Sequence, residues 1–290
     1  MHNNGANCDT RAIFRHDLIP FGTYPAFHTR PGTYISRLMK RIALLSTLLW
    51  PLPAMADCVV LLHGLARSQA SFTLMEAALE AEGYEVVRPG YPSTSANVAR
   101  LADAVMPFAF DRCTDRIVHF VTHSMGGILV REWMAKQSTH PPGFGRVVML
   151  APPNQGSEVV DVLGDLAAFG WFNGPAGREM GTGENSVPKA LPPVDYPVGV
   201  IAGDTSLNPY FSSLLPGVDD GKVTVVSTRV DGMADHITLP VTHTFIMNSP
   251  TVIAQTLAFL QSGQFDPSIG WLDAVLDRFD PDEESGDAER

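Results

Sequence analysis

From Cys58 onward the apolar positions fall into two alternating kinds of run. Short stretches rich in aliphatic residues recur at Cys58–Leu62, Tyr84–Val87, Ile117–Val121, Arg146–Leu150, Val198–Ala202 and Val223–Val226. Between them lie longer segments in which apolar residues return every three or four positions. Ser71–Glu82 carries Phe72, Met75 and Leu79, and Val98–Phe108 keeps the same spacing. Gly126–Gln137 carries Ile128, Leu129, Val130, Trp133 and Met134, and Pro250–Leu260 carries Val252, Ile253, Leu257 and Leu260. The first kind reads as strands buried on both faces, the second as helices with one apolar face. Strands that alternate with helices predict an α/β fold, a doubly wound, mainly parallel sheet of about six strands joined by right-handed crossovers.

The rhythm breaks between Pro152 and Tyr196, where seven glycines and five prolines stand. One short helix over Val159–Phe169 fits within this stretch. An insertion at about 153–196, following a central strand, reads as a cap over a site. The globular domain then spans 57–262. From Gly263 the chain holds nine Asp and Glu against two Arg, an acidic tail with one candidate helix at Trp271–Phe279.

The first 38 residues show no period. Met39-Lys40-Arg41 then opens a basic, apolar, small-residue sequence that ends at Ala54-Met55-Ala56, the order of a secretory signal peptide. Its apolar run is short for a bilayer and is broken by Pro51 and Pro53. The expectation is therefore a signal peptide at 39–56, a non-native extension at 1–38, and a periplasmic or secreted protein beginning at Asp57. That portion carries 14 basic and 29 acidic residues. The whole chain has a formal net charge of −11, without the clustered Lys and Arg that nucleic acid requires. No stable membrane span and no nucleic-acid partner are expected.

The chemistry concentrates at Phe120-Val121-Thr122-His123-Ser124-Met125-Gly126-Gly127, where a strand runs into a helix with a serine at the corner. A nucleophile elbow needs small residues around that serine so that the sharp turn can pack. Gly126 meets this need, while Thr122 is bulkier than the usual glycine and suggests a slightly more open turn. A serine there could also simply cap the helix. Acyl transfer needs two backbone donors for the oxyanion. Met125 offers one, and Leu65, after His63-Gly64 at the end of the first strand, offers the other. No spacing suits a metal or a nucleotide loop, and no cofactor is expected.

These segments, with Asp219-Asp220-Gly221-Lys222-Val223 and Val241-Thr242-His243, resemble the α/β-hydrolase superfamily, and within it the bacterial lipase and esterase branch. The resemblance covers about Cys58 to Leu260 and implies the chain order serine, acid, histidine. For the histidine, His243 precedes the closing helix at the expected distance, and His236 is the rival. Asp220 is the leading acid, with Asp204 as the alternative and Asp219, expected to be solvated, as a third. Catalytic Ser124, Asp220 and His243 would cleave carboxylic esters, with acyl or lipid esters as substrates. An acyltransferase or a non-catalytic binding protein on the same fold are the rivals. In the hydrolase order the strands led by Cys58 and Cys113 are parallel neighbours, so a disulfide can join them; two reduced, buried thiols are the alternative.

Overall fold

The computed structural model describes residues 56–164, 167–271 and 274, without the side chains of 167–172. The expected signal peptide and extension lie outside these residues, as does nearly all of the candidate helix at 271–279. Six strands form one sheet: β1 (Cys58–Leu62), β2 (Glu85–Val87), β3 (Val118–His123), β4 (Phe144–Leu150), β5 (Val198–Gly203) and β6 (Asp235–Leu239). They are ordered β2-β1-β3-β4-β5-β6, and every pairing is parallel.

The unbroken apolar runs are explained by what covers the sheet. Val60, Leu62, Phe120 and Met149 point to one face, where helices α2 (Val98–Arg112) and α3 (Met125–Met134) pack. Val59, Leu61, Val121 and Leu150 point to the other, against α1 (Thr73–Ala81) and the closing helix Pro250–Ser262. Side chains alternate along a strand, so two buried faces demand apolar residues at consecutive positions. Each buried Leu or Phe contributes on the order of 1.5–3 kcal/mol.

Helix ends follow local chemistry. Asn97 caps α2 by accepting from the Arg100 N–H at 3.0 Å. The closing helix starts with Pro250 at its first position and stops at Gly263, whose φ is 83°. Three short helices occupy the segment between β4 and β5: α4 (Glu158–Leu163), α5 (Ala167–Arg178, broken at Gly174) and α6 (Val187–Ala190). The single helix expected at Val159–Phe169 is thus replaced by several. A one-turn helix, α7 (Pro209–Ser212), follows β5, which makes the closing helix α8.

One expected strand is corrected. Val223–Val226 forms a bend, an isolated bridge from Thr224 to Asp219 and the start of a turn, and the sixth strand is Asp235–Leu239. Val223 is apolar because it is buried beside the site, while Val226 is 72% exposed. Strand β6 lies at the sheet edge with one neighbour and is mostly half-buried, so its sequence Asp-His-Ile-Thr-Leu lacks the apolar run of a central strand.

Cys58 and Cys113 form a disulfide with Cα atoms 5.8 Å apart. It ties the start of β1 to the end of α2, at the amino-terminal end of the strand, opposite the loops described next.

Candidate active site

From β1 the chain moves outward to β2, then returns past β1 to β3. The order reverses between β1 and β3, and the loops at their carboxyl ends diverge to leave a crevice. Gly64-Leu65 follows β1 and Ser124 follows β3, so both sit at that crevice.

Ser124 links β3 directly to α3 with φ 52° and ψ −122°, a conformation costly for any residue with a Cβ. The surroundings enforce it. Its N–H donates to the Leu150 carbonyl at 2.9 Å, and its carbonyl accepts from the Gly127 N–H at 3.1 Å. Gly126 allows the turn to press on β1: a Cβ there would lie 2.4 Å from the Leu62 carbonyl oxygen. Thr122 fits because Gly127 faces it, where a Cβ would come within 3.2 Å of the threonine oxygen. The serine side chain makes no helix-cap bond. Its oxygen instead lies 3.1 Å from Nε2 of His243.

His243 stands on the loop between β6 and α8. Its Nδ1 lies 2.8 Å from Oδ2 of Asp220. The other oxygen of that carboxylate accepts the backbone N–H groups of Lys222 and Val223 at 3.0 and 2.9 Å. Asp220 is 2% exposed. A carboxylate filled with donors in this way accepts the Nδ1–H of His243, leaving Nε2 as an acceptor for the Ser124 hydroxyl. The His243 N–H also donates to the Asp220 carbonyl at 3.0 Å. Side chain and backbone together therefore fix the imidazole.

The rivals are placed elsewhere. Asp204 is exposed after β5, and its carboxylate accepts from the Thr205 hydroxyl. Asp219, expected to be solvated, is buried and accepts from the Ser212 hydroxyl and the Gly221 N–H. It supports the turn that presents Asp220. His236 lies on β6 with Nε2 at 2.9 Å from the Thr228 hydroxyl. Burial, and then the nearby Arg229 cation, hold its pKa down to about 4.

Gly64 brings the loop after β1 against the serine. A Cβ there would lie 2.8 Å from Nδ1 of His123 and 3.1 Å from Cβ of Ser124. Among the described residues the N–H groups of Leu65 and Met125 have no acceptor. Two side chains fix this loop. Ser93 accepts from the Ala66 N–H at 3.0 Å, and Tyr91 donates to the His63 carbonyl while its ring stacks on His63.

A family model described as the alpha/beta hydrolase family matches residues 59–278. The chain belongs to this family. The hydrolase resembles the mature form of the Bacillus licheniformis lipase BlEst2, with a TM-score of 0.58 and 20% identity over 73% of this chain and 94% of that one. It spans only 54% of the propeptide form of the same lipase. Phospholipase PlaB from Legionella pneumophila, solved in complex with thio-NAD, gives 0.56 and 16% over 77% of this chain and 61% of that one. The metagenomic carboxyl esterase MGS0156 gives 0.53 and 17% over 79% and 78%. No curated protein matches the sequence.

In this hydrolase the serine faces a cavity of about 430 Å³. Val159, Val160, Leu163 and Met180 line it from the segment between β4 and β5, with Leu65 and Val223 from the loops below. Arg131 ties that segment to the body: from α3 it donates to Asn154, Leu191 and Pro192 carbonyls and to the Asn154 side chain. Among the described residues no helix is long and apolar enough to cross a membrane, and no group of three or more His, Cys, Asp or Glu comes together as a metal site.

His123 precedes the serine directly in the chain. It is fully enclosed behind Ser124, and its Nε2 lies 2.9 Å from the His243 carbonyl. Burial above all, then the charge of His243, hold its pKa well below the usual range. It is therefore neutral, with Nε2–H donating and Nδ1 unpartnered. Its place directly before the serine was the signal in the sequence.

Proposed function

We propose that this hydrolase cleaves carboxylic esters with an apolar acyl part, through Ser124, His243 and Asp220. The observation that carries the reading is the unbroken series from the Ser124 hydroxyl through His243 to the enclosed Asp220 carboxylate, with the serine held at positive φ. His243 Nε2 takes the proton as Ser124 Oγ attacks the ester carbonyl. The N–H groups of Leu65 and Met125 receive the oxyanion. His243 then protonates the departing alcohol, and water, deprotonated by the same nitrogen, releases the acid from the acyl-serine. The apolar lining of the cavity supports an acyl chain, and the 153–196 segment serves as its cap. The names of the structural relatives, a lipase, a phospholipase and a carboxyl esterase, agree with an ester. The enclosed disulfide supports export to an oxidising compartment, with 39–56 as the leader.

Removal of the serine oxygen tests the reading. Ser124→Ala should lose on the order of 10⁶ in kcat toward p-nitrophenyl butyrate, and fluorophosphonate labelling should disappear while the far-UV spectrum is kept. Wild-type protein that neither hydrolyses esters nor reacts with the probe would overturn it.

A further inference from the structure

The cavity beside Ser124 is lined by apolar residues and by two cationic side chains. Arg67 and Lys222 both line it, and no Asp or Glu does among the described residues. Neither cation makes an ion pair among those residues. In a chain with net charge −11, two cations lining one recess without a direct ion pair require an explanation; only the Asp220 carboxylate, two residues away and bonded to His243, acts on Lys222 from nearby.

Their anchorage shows which part of a substrate they meet. Nη2 of Arg67 donates to the Thr244 carbonyl at 3.3 Å, so the guanidinium rests on the residue after His243. Lys222 is two residues from Asp220. Its N–H is held by that carboxylate and its carbonyl by the Ser157 hydroxyl, which fixes where the side chain starts. The residue keeps solvent exposure, while protein packed around the ammonium, and next the charge of Arg67, hold its pKa below the usual range against the opposing pull of Asp220. Two like charges thus share one recess. The apolar lining comes from a different part of the chain, through Val159, Val160, Leu163 and Met180.

His243 must face the leaving oxygen in order to protonate it. The alcohol part of a bound ester therefore continues past the His243 loop, where Arg67 rests, and the acyl part is left to the apolar lining. We infer that the site prefers acyl esters whose alcohol carries a phosphate-like anion, with Arg67 and Lys222 binding that anion. Arginine and lysine suit this task, a planar fork and a compact point charge that together replace the water around phosphate oxygens. The inference rests on the ester-hydrolase reading and names the substrate class for the same site.

Two ester pairs test it. Octanoylglycerol phosphate and octanoylglycerol share the acyl chain and differ in charge on the alcohol side. p-Nitrophenyl hydrogen succinate and p-nitrophenyl butyrate differ in charge on the acyl side. For the first pair kcat/KM should favour the anionic ester by ten-fold or more at low ionic strength, and the ratio should shrink as salt is added. The second pair should show no preference for the anion. Arg67→Gln with Lys222→Gln should bring the first ratio to within about two-fold of one, and Lys222→Glu should lower it further. A wild-type ratio at or below one, a ratio that survives the double substitution, or a preference for the succinate would overturn the inference while ester hydrolysis stands. If no ester of either pair is cleaved, the ester reading itself fails and the inference fails with it.

Discussion

Replacing Asp220 by Asn is the perturbation whose consequence can be followed atom by atom. Oδ1 of Asp220 accepts two backbone N–H groups at 3.0 and 2.9 Å, so only an oxygen fits that position. The Asn side chain must then turn its NH₂ toward Nδ1 of His243, where Oδ2 now stands at 2.8 Å. A donor there requires Nδ1 without its proton, which moves the proton to Nε2. Nε2–H then points at Ser124 Oγ, 3.1 Å away, and cannot receive the hydroxyl proton. The opposite amide orientation leaves two N–H groups facing NH₂. That loses one buried and one part-buried hydrogen bond and leaves their donors facing a donor, up to about 1–3 kcal/mol each. The competent tautomer is therefore suppressed by about 10²-fold or more. Loss of the charge that stabilises the imidazolium adds to this, giving a fall in kcat on the order of 10⁴. Steady-state hydrolysis of p-nitrophenyl butyrate measures it, with the far-UV spectrum and urea midpoint as controls for folding. Asp204→Asn, at an exposed carboxylate bonded to Thr205, should leave kcat within about two-fold. Asp220→Asn within ten-fold of wild type, or the two variants in reverse order, would refute the reasoning.

Three further outcomes are expected. Cys58→Ala with Cys113→Ala opens a loop of sequence separation 55 and should lower unfolding free energy by up to about 4 kcal/mol in urea; a loss below about 1 kcal/mol would show that the bond does not constrain the unfolded chain. Gly126→Ala sets a methyl group 2.4 Å from the Leu62 carbonyl oxygen, so it should cost about 2–4 kcal/mol of stability and slow fluorophosphonate labelling; normal values for both would refute the close approach. For His236 the folded pKa, about 4, lies below the unfolded value of about 6.5, so the unfolded chain binds more protons between them and stability falls as pH drops through that window. Because the ring is half-buried, about 1–2 kcal/mol is expected after solvent screening; urea midpoints from pH 7 to pH 4 should fall less steeply for His236→Gln, and identical slopes would refute the assignment.

Much of the fold was legible because β1, β3 and β5 are sealed on both faces, so their composition alone marks them. The sixth strand was misplaced for the converse reason. An edge strand with a half-wet face need not be apolar, whereas Val223, which lines a cavity, must be. In the segment after β4, α4 ends at Leu163 and α5 runs past Phe169 to Arg178, with its own break at Gly174, so the helix boundaries differ from those read from periodicity. Ser124 was legible because the strand, turn and helix are contiguous. The choice among Asp220, Asp204 and Asp219 was not, since it depends on which carboxylate a separate loop meets in space. Arg67 and Lys222 carried no signal of their own: their joint position exists only after β1 and the loop beyond α7 are brought together.

A site assembled from such distant segments needs contacts that hold one segment to another. Here they form a closed circuit. Ser124 is bonded to β4 through its own N–H and pressed on β1 through Gly126. The loop after β1 touches His123, which precedes the serine, and His123 in turn donates to the backbone of His243. His243 is bonded by both side chain and N–H to Asp220. The carbonyl of Lys222, two residues on, accepts from Ser157 at the start of the segment that lines the cavity. That segment is fastened back to α3, the helix Ser124 opens into, by Arg131. Displacing any member therefore moves a neighbour that bears on the serine. The interior is close-packed, so such displacements are transmitted rather than absorbed. Alignment of reacting groups to within about an ångström is what such a constellation requires, and part of the circuit that holds it, Gly126 and Arg131, lies outside the cavity lining.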